Sequence, residues 1–359
     1  MSLAKVPVLK EFGKAFNSTI KSFLQEVYLL RFIGLAAIIF AHSGPPGLLF
    51  QLRNFDVPLM VLASAMSFDL SYRAGYPYLQ YVFKRIKRLA FPVWLFLTFY
   101  FLGQFAILHS GAELSLKAIL GSYALIDGIG YVWIIRVFLL VALAAPILWT
   151  FHKKTPQDSR FFGSIAIATV AYELLRFIVF PHIQGGPNQL ASLFIIQPIP
   201  YFIVFLIGLR MRMMGKAQIY TLAAVNFAAF VAIGTGLYLH SGGIVQTQVL
   251  KYPPELYYIS YALFISTLLW LLSRQIWNRL EQVRAKGLVL FVASNSMWIY
   301  LWHIPFVKMV QANFLSKYLI VFSAAFAIVY LQNWVVSNLV LPRLHSDRSR
   351  KSVKALLMG

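Results

Sequence analysis

The sequence contains about ten stretches of roughly 17–23 predominantly apolar residues, close to the ~20 that a helix needs to cross a hydrocarbon core of ~30 Å. They lie at residues 27–43, 55–71, 90–109, 131–150, 161–180, 193–209, 218–239, 256–273, 287–307 and 319–341. Because only helices and closed barrels satisfy the backbone in lipid, these stretches predict an all-α integral membrane protein, a bundle of about ten transmembrane helices. The first two stretches are short and carry polar residues, so we expect them inside the bundle.

Composition and charge placement support this prediction. Hydrophobic residues make up 60% of the 359-residue chain and charged residues only 12%, against roughly a quarter in soluble domains. With a cytoplasmic N-terminus and alternating spans, most Lys and Arg of the loops face the cytoplasm, as the positive-inside rule requires. We therefore expect both termini in the cytoplasm, and the net charge of +21 needs no nucleic-acid partner to explain it. The predicted organisation is an N-terminal segment (1–26), a transmembrane domain (27–341) and a basic tail (342–359).

The sequence lacks the residue patterns of several kinds of site. The chain has no cysteine, which excludes a disulfide framework, a thiolate nucleophile and a thiolate metal site. It has no pair of histidines at helical ligand spacing and no His-Glu-x-x-His pattern, so we expect no metal. We also expect no cleavable signal, because no small-residue cleavage site follows the first apolar run.

The first span carries two polar side chains, Arg31 and His42. Eleven residues are about three helical turns, so both project from one face, separated by about 16 Å of rise. Ionisable groups at membrane depth are costly and usually mark a functional site or a buried pair. The alternative interpretation is that Arg31 is a positive-inside anchor and His42 a residue at the outer end of the span.

A second candidate is the basic stretch before the third span, in which Arg85 and Arg88 share a helix face. It can be a topogenic cluster, or two guanidiniums that hold phosphate groups through forked hydrogen bonds. Asp56 either orients His42 by accepting a ring N–H or is an outer-surface residue, and Arg136 lacks a partner in its own helix and can face a cavity.

Two further polar features have mainly structural interpretations. Glu173 and Arg176, three residues apart in the fifth span, are expected to form a mutually neutralising pair. His303, near the outer end of the ninth span, is expected to be a structural histidine whose hydrogen bonds are satisfied within the bundle.

The polar residues also follow motifs that resemble the membrane-bound acyltransferase family 3, whose members include O-acetylases of bacterial surface polysaccharides. The family signature is an arginine, ten residues and a histidine in the first span, here Arg31 and His42. An Arg-x-x-Arg stretch before a proline matches Arg85 and Arg88, followed by Pro92. Two later segments also match, Tyr131-Val-Trp-Ile-Ile-Arg136 and Asn295-Ser-Met-Trp-Ile-Tyr-Leu-Trp-His303.

The resemblance implies an acyl-CoA-dependent O-acyltransferase of the bacterial inner membrane, surrounded by membrane lipid. The donor is expected to be acyl-CoA, in the first place acetyl-CoA, and the acceptor a cell-surface or lipid-linked glycan. Arg85, Arg88 and Arg136 are the expected donor-binding residues, and His42, Arg31 and Asp56 the expected catalytic ones. The rival hypotheses are a transporter or flippase for a lipid-linked sugar, which needs no histidine chemistry, and a non-catalytic membrane subunit.

Overall fold

The computed structural model describes residues 7–108, 114–126 and 128–358, and its regular elements are helices. They are α1 (Pro7–His42), α2 (Gly47–Leu52), α3 (Asp56–Ser71), α4 (Tyr78–Leu108), α5 (Leu116–Tyr123), α6 (Trp133–Lys154), α7 (Asp158–Val179), α8 (Gln189–Ala191), α9 (Ile199–Met211), α10 (Lys216–Ser241), α11 (Leu256–Gln282), α12 (Lys286–Ser294), α13 (Ser296–Met309), α14 (Phe314–Val335) and α15 (Asp347–Leu357). A π-helical turn, Ser192–Ile196, leads from α8 towards α9.

Each of the ten apolar stretches is helical, and the predicted all-α membrane fold is confirmed. Within the described residues, eight helices are long and apolar enough to cross a membrane. The bent pair α12 and α13 makes a ninth span if it is counted as one, although its two halves meet at 84°. The stretch predicted at 55–71 forms α3, whose 16 residues give a length of about 24 Å, short of a full crossing.

The short helix α3 lies at the centre of the bundle, as expected, and packs against α1, α6, α9 and α11. Leu59, Leu62 and Met66 on α3 are fully buried. Helix α9 approaches closely because Gly208 has no side chain: a Cβ there would lie 2.8 Å from both the Leu62 carbonyl oxygen and the Ala65 methyl group. Small residues at a crossing let two membrane helices pack closely, and here the contact fixes the wall of the site described below.

The ends of the bundle differ in detail from the predicted segment boundaries. Helix α1 begins at Pro7 and its apolar part at Ile20, so the segment predicted at 1–26 runs into the first span without a break. At the other end, residues 342–359 include α15, which packs against α4.

Candidate functional site

A cavity of about 390 Å³ lies between α1, α3, α4, α6 and the junction of α12 with α13. Three of the predicted site residues line it: Arg31 from α1, and Arg85 and Arg88 from α4. Arg85 and Arg88 follow Arg31 by 54 and 57 positions in the chain. The packing of the helices brings the three side chains into one cavity. Its volume falls within the range of roughly 300–1,000 Å³ that is typical of small-molecule sites.

The arginines are held by hydroxyl and aromatic groups. Arg31 Nη2 donates a hydrogen bond of 3.1 Å to Ser67 Oγ, and the Arg85 guanidinium lies 4.9 Å from the centre of the Tyr81 ring. Among the described residues, no carboxylate lies within ion-pair distance of Arg31, Arg85 or Arg88. The cavity therefore carries an uncompensated positive charge, the electrostatic environment that favours an anionic ligand.

Most of the remaining wall is apolar, with one polar stripe. Ser64, Ser67 and Ser71, on one face of α3, all line the cavity. The junction of α12 and α13 adds polar groups at Ser294, Asn295 and Ser296, and most of the rest is aliphatic or aromatic. A ligand with an anionic head and a largely apolar chain would thus find cationic and apolar surface within the same cavity.

His42 and His303 form a hydrogen-bonded pair at the end of α1. His42 Nδ1 and His303 Nε2 are 2.8 Å apart, and the two rings are nearly parallel, with centroids separated by 5.0 Å. Tyr131 packs edge-on against His42 with ring centroids 4.8 Å apart. The Tyr300 hydroxyl donates to the Tyr131 carbonyl oxygen at 2.5 Å, which ties these aromatic residues together.

The pairing fixes which nitrogen of His42 is basic. His303 Nδ1 contacts the Tyr300 carbonyl oxygen, which only accepts, so Nδ1 carries the proton. In a neutral His303 ring, Nε2 is then the acceptor, and His42 Nδ1 must be the donor. The lone pair of a neutral His42 therefore resides on its Nε2, the nitrogen remote from His303, where it can take a proton or attack a carbonyl carbon.

The cavity extends to the immediate neighbourhood of this histidine pair. Ile38, one helical turn before His42, lines it, and so does Tyr300, whose ring centroid lies 6.4 Å from that of His42. His42 itself is not among the lining residues. The cavity that holds the arginines thus reaches residues next to the histidine pair, while the pair itself lies outside the lining.

Asp56 has a different place from the predicted one. Its carboxylate accepts from Arg53 at 2.8 Å, from Lys251 at 3.4 Å and from the Val57 backbone N–H at 2.7 Å, with all three side chains buried. The residue bonded to His42 Nδ1 is instead His303. Asp56 therefore links the loop before α3, which carries Arg53, to the loop before α11, which carries Lys251. Asp56 is buried and is not an outer-surface residue.

Loss of the Asp56 carboxylate is expected to lower the stability of the fold strongly. Replacing Asp56 by Asn leaves two buried cations without a carboxylate, which is expected to destabilise the fold by about 3–5 kcal/mol. The matched control is Glu281→Gln, because the Glu281–Lys286 pair is exposed and surface ion pairs of this kind contribute little to stability. Thermal unfolding in detergent should show a clearly larger drop for Asp56→Asn, and equal drops would contradict the assignment.

Arg136 also differs from its expected role. It is buried, and its Nη1 donates to the carbonyl oxygens of Leu125 and Ile126 at 2.6 and 2.8 Å. It does not line the cavity. Arg136 therefore fixes the loop that precedes α6, whereas the sequence predicted that it would contact the donor.

The other two polar features have distinct outcomes. Arg176 pairs with Glu173 at 2.9 Å, as predicted, and also with Glu255 at 3.0 Å, a partner that spacing alone cannot reveal. His303 is buried and hydrogen-bonded as expected of a structural histidine, yet its partner is His42. The only sequence signal for this role was its place in the last of the matching motifs.

Within residues 7–108, 114–126 and 128–358, no group of three or more His, Asp or Glu side chains is arranged to hold a metal ion.

Comparison with known protein families gives one match. The family model described as "Acyltransferase domain" matches residues 24–337, which contain every predicted site residue and the whole cavity. No curated protein and no solved structure matches the chain.

Proposed function

The chain belongs to acyltransferase family 3, and we propose that it transfers an acyl group, in the first place acetyl, from acyl-CoA to a hydroxyl of a cell-surface or lipid-linked glycan. Its family and its apolar helices together make the chain a multi-pass membrane acyltransferase. The proposed location is the inner membrane of a bacterium. The observation that carries the proposal is the cavity that holds three arginines and reaches residues next to the hydrogen-bonded pair of His42 and His303.

The arginines support an acyl-CoA donor. CoA carries several phosphate charges at one end of a long, flexible arm and its thioester at the other. Guanidiniums bind phosphate oxygens through paired N–H donors, and Arg85 and Arg88 lie together in the cavity with no carboxylate of the described chain within ion-pair distance. The serine stripe and the apolar wall next to Arg31 would accommodate the arm.

The proposed reaction makes one bond and breaks one. His42 Nε2 takes the proton of the acceptor hydroxyl while the hydroxyl oxygen attacks the thioester carbonyl carbon, so that an O–C bond forms. The C–S bond then breaks, and the CoA sulfur leaves as a thiolate that recovers the proton from His42. In a two-step variant, His42 Nε2 itself attacks the carbonyl carbon and the C–S bond breaks, so that the CoA thiolate leaves and the acyl group stays on Nε2. The hydroxyl oxygen then attacks the same carbon, the C–N bond breaks, and the hydroxyl proton goes to the thiolate.

Other residues hold the reacting groups in place. His303 accepts from His42 Nδ1 and so keeps the basic nitrogen on the opposite side of the ring. Arg31, anchored to Ser67 about 16 Å of helix rise from His42, supplies positive charge in the cavity for a donor phosphate.

The donor proposal predicts a specific loss of CoA affinity. Replacing Arg85 and Arg88 by Gln is expected to weaken CoA binding about tenfold or more, because a hydrogen bond to a charged group contributes about 1.5–3 kcal/mol. Calorimetry on the purified protein in detergent measures this directly. Lys84→Gln with Lys87→Gln is the matched control: the charge change and helix segment are the same, but neither lysine lines the cavity.

Two outcomes would count against the donor. Equal affinities in the two double variants would mean that Arg85 and Arg88 are not a phosphate site. Absence of CoA binding by the unaltered protein, with movement of a lipid-linked sugar across vesicles, would favour the transporter instead.

A further inference from the structure

Tyr300, on α13, lines the cavity and also lies against the histidine pair. Its side chain is buried, and its ring centroid lies 4.9 Å from that of His303 and 6.4 Å from that of His42. His42 itself is outside the cavity lining. Tyr300 therefore connects the space proposed for the donor with the ring proposed for the chemistry.

The main-chain carbonyl of Tyr300 fixes one neighbour of His42. It accepts from His303 Nδ1, three residues later on the same helix. Because a carbonyl oxygen only accepts, this contact keeps the His303 proton on Nδ1 and leaves Nε2 as the acceptor for His42 Nδ1. The orientation of the His303 ring therefore depends on the main chain of α13 at Tyr300.

The side-chain hydroxyl of Tyr300 fixes a second neighbour of His42. It donates to the carbonyl oxygen of Tyr131 at 2.5 Å, and the Tyr131 ring packs edge-on against His42 with centroids 4.8 Å apart. Tyr131 precedes α6 and follows Gly130, whose φ of +83° lies in the left-handed region that favours glycine. Since this peptide lies outside the helix, its carbonyl takes its hydrogen bond from a side chain, that of Tyr300.

Two neighbours thus orient the His42 ring, and Tyr300 holds both of them. His303 accepts from His42 Nδ1, and Tyr131 packs against the ring. A shift of either neighbour would let the His42 ring turn, and with it the lone pair on Nε2. Orientation of this kind matters to a rate, because misplacing a reacting group by about 1 Å can cost about 10²-fold.

We propose that Tyr300 is a positioning residue for the acyl transfer and holds the His42 ring in one orientation through His303 and Tyr131. The inference rests on the proposed function, because it assigns a role within that reaction. Tyr300 makes no bond to the substrates in this role, and its hydroxyl proton stays in the hydrogen bond to Tyr131. The competing interpretation is that this hydroxyl only satisfies a buried polar group and contributes to packing.

The variant Tyr300→Phe tests the role, because it removes the hydroxyl and keeps the ring that lines the cavity. We expect kcat for the transfer of labelled acetyl from acetyl-CoA to a glycan extract to fall about 5- to 10-fold, within the range that one neutral hydrogen bond contributes. The KM for acetyl-CoA should stay within about twofold, because the interaction serves the chemical step and not the binding of the donor.

The matched control is Tyr172→Phe. Tyr172, on α7, is also buried, and its hydroxyl donates to the Pro254 carbonyl oxygen at 2.7 Å, in the loop before α11. The change therefore removes the same kind of bond, but Tyr172 does not line the cavity that holds the arginines. Thermal unfolding in detergent should show similar losses of stability for the two variants, and only Tyr300→Phe should lose kcat.

A double-mutant cycle with His42 separates positioning from packing. In the His42→Ala protein no ring is left to orient, so adding Tyr300→Phe should leave the residual transfer within about twofold. A general effect on folding would instead lower transfer by the same factor in both backgrounds.

Three results would overturn the role and leave the proposed function standing. They are an unchanged kcat in Tyr300→Phe, an equal loss of transfer with and without His42, and a rise in KM at constant kcat, which would make Tyr300 a donor contact. Absence of acetyl transfer by the unaltered protein with every acceptor would instead remove the proposed function, and this role with it.

Discussion

Replacing His42 by Ala is expected to reduce acyl transfer by about 10²–10⁴-fold, the range that a positioned general base contributes, and by more if this residue carries the acyl group. CoA affinity should stay within about twofold, because His42 does not line the cavity that holds the arginines. Transfer of a labelled acetyl group to a glycan extract measures the first quantity, and calorimetry with CoA the second. Loss of transfer with retained binding would place His42 at the chemical step.

Two other histidines serve as comparisons for that experiment. His303→Ala removes the acceptor for His42 Nδ1 and should reduce transfer less than His42→Ala does, with partial rescue in His303→Gln through its side-chain oxygen. His152→Ala changes a buried histidine on α6 whose ring nitrogens make no hydrogen bond to any described residue, and it should leave transfer unchanged. A fully active His42→Ala protein would exclude both mechanisms proposed for this residue.

Replacing Arg31 by Met is expected to raise the KM for acyl-CoA about 10- to 100-fold, because it removes a charged donor whose hydrogen bond to a phosphate contributes about 1.5–3 kcal/mol. The turnover number kcat should change less, since about 16 Å of helix rise separates Arg31 from His42 and from the bonds that change there. Arg31→Lys keeps the charge but not the forked geometry, and should recover only part of the affinity. Arg279→Met, an exposed arginine on α11, is the control, and an Arg31→Met protein with the KM of this control would contradict the role.

The transmembrane architecture was predictable because it depends on local properties of the chain. Apolar stretches of sufficient length must be helical in lipid, whatever their neighbours are, and the described residues of each one are mainly helical, although the stretches at 193–209 and 287–307 are each divided between two helical segments. The polar content of the stretch at 55–71 correctly placed α3 inside the bundle, because those hydroxyls face the cavity and not the lipid. The placement of Arg31 and His42 on one face of α1 was also predictable, because it depends only on their spacing within one helix.

The contacts that make the site depend on tertiary structure, and sequence patterns do not contain them. His42 and His303 lie 261 residues apart, so neither spacing nor charge indicates that they pair. Asp56 was the nearest carboxylate in sequence, yet its buried partner Lys251 comes from a distant loop. The 84° bend between α12 and α13 interrupts a continuous apolar run, and hydropathy gives no sign of it, although it brings Asn295 and Trp298 to the cavity.

The most direct test of the account is the release of CoA thiol from acetyl-CoA by the purified protein, with and without a cell-surface glycan extract as acceptor. The account predicts thiol release that depends on the acceptor, with one acetyl group appearing on a glycan hydroxyl for each thiol formed. Acetyl-CoA that stays intact with every acceptor, while labelled lipid-linked sugar crosses a vesicle membrane containing the protein, would contradict it.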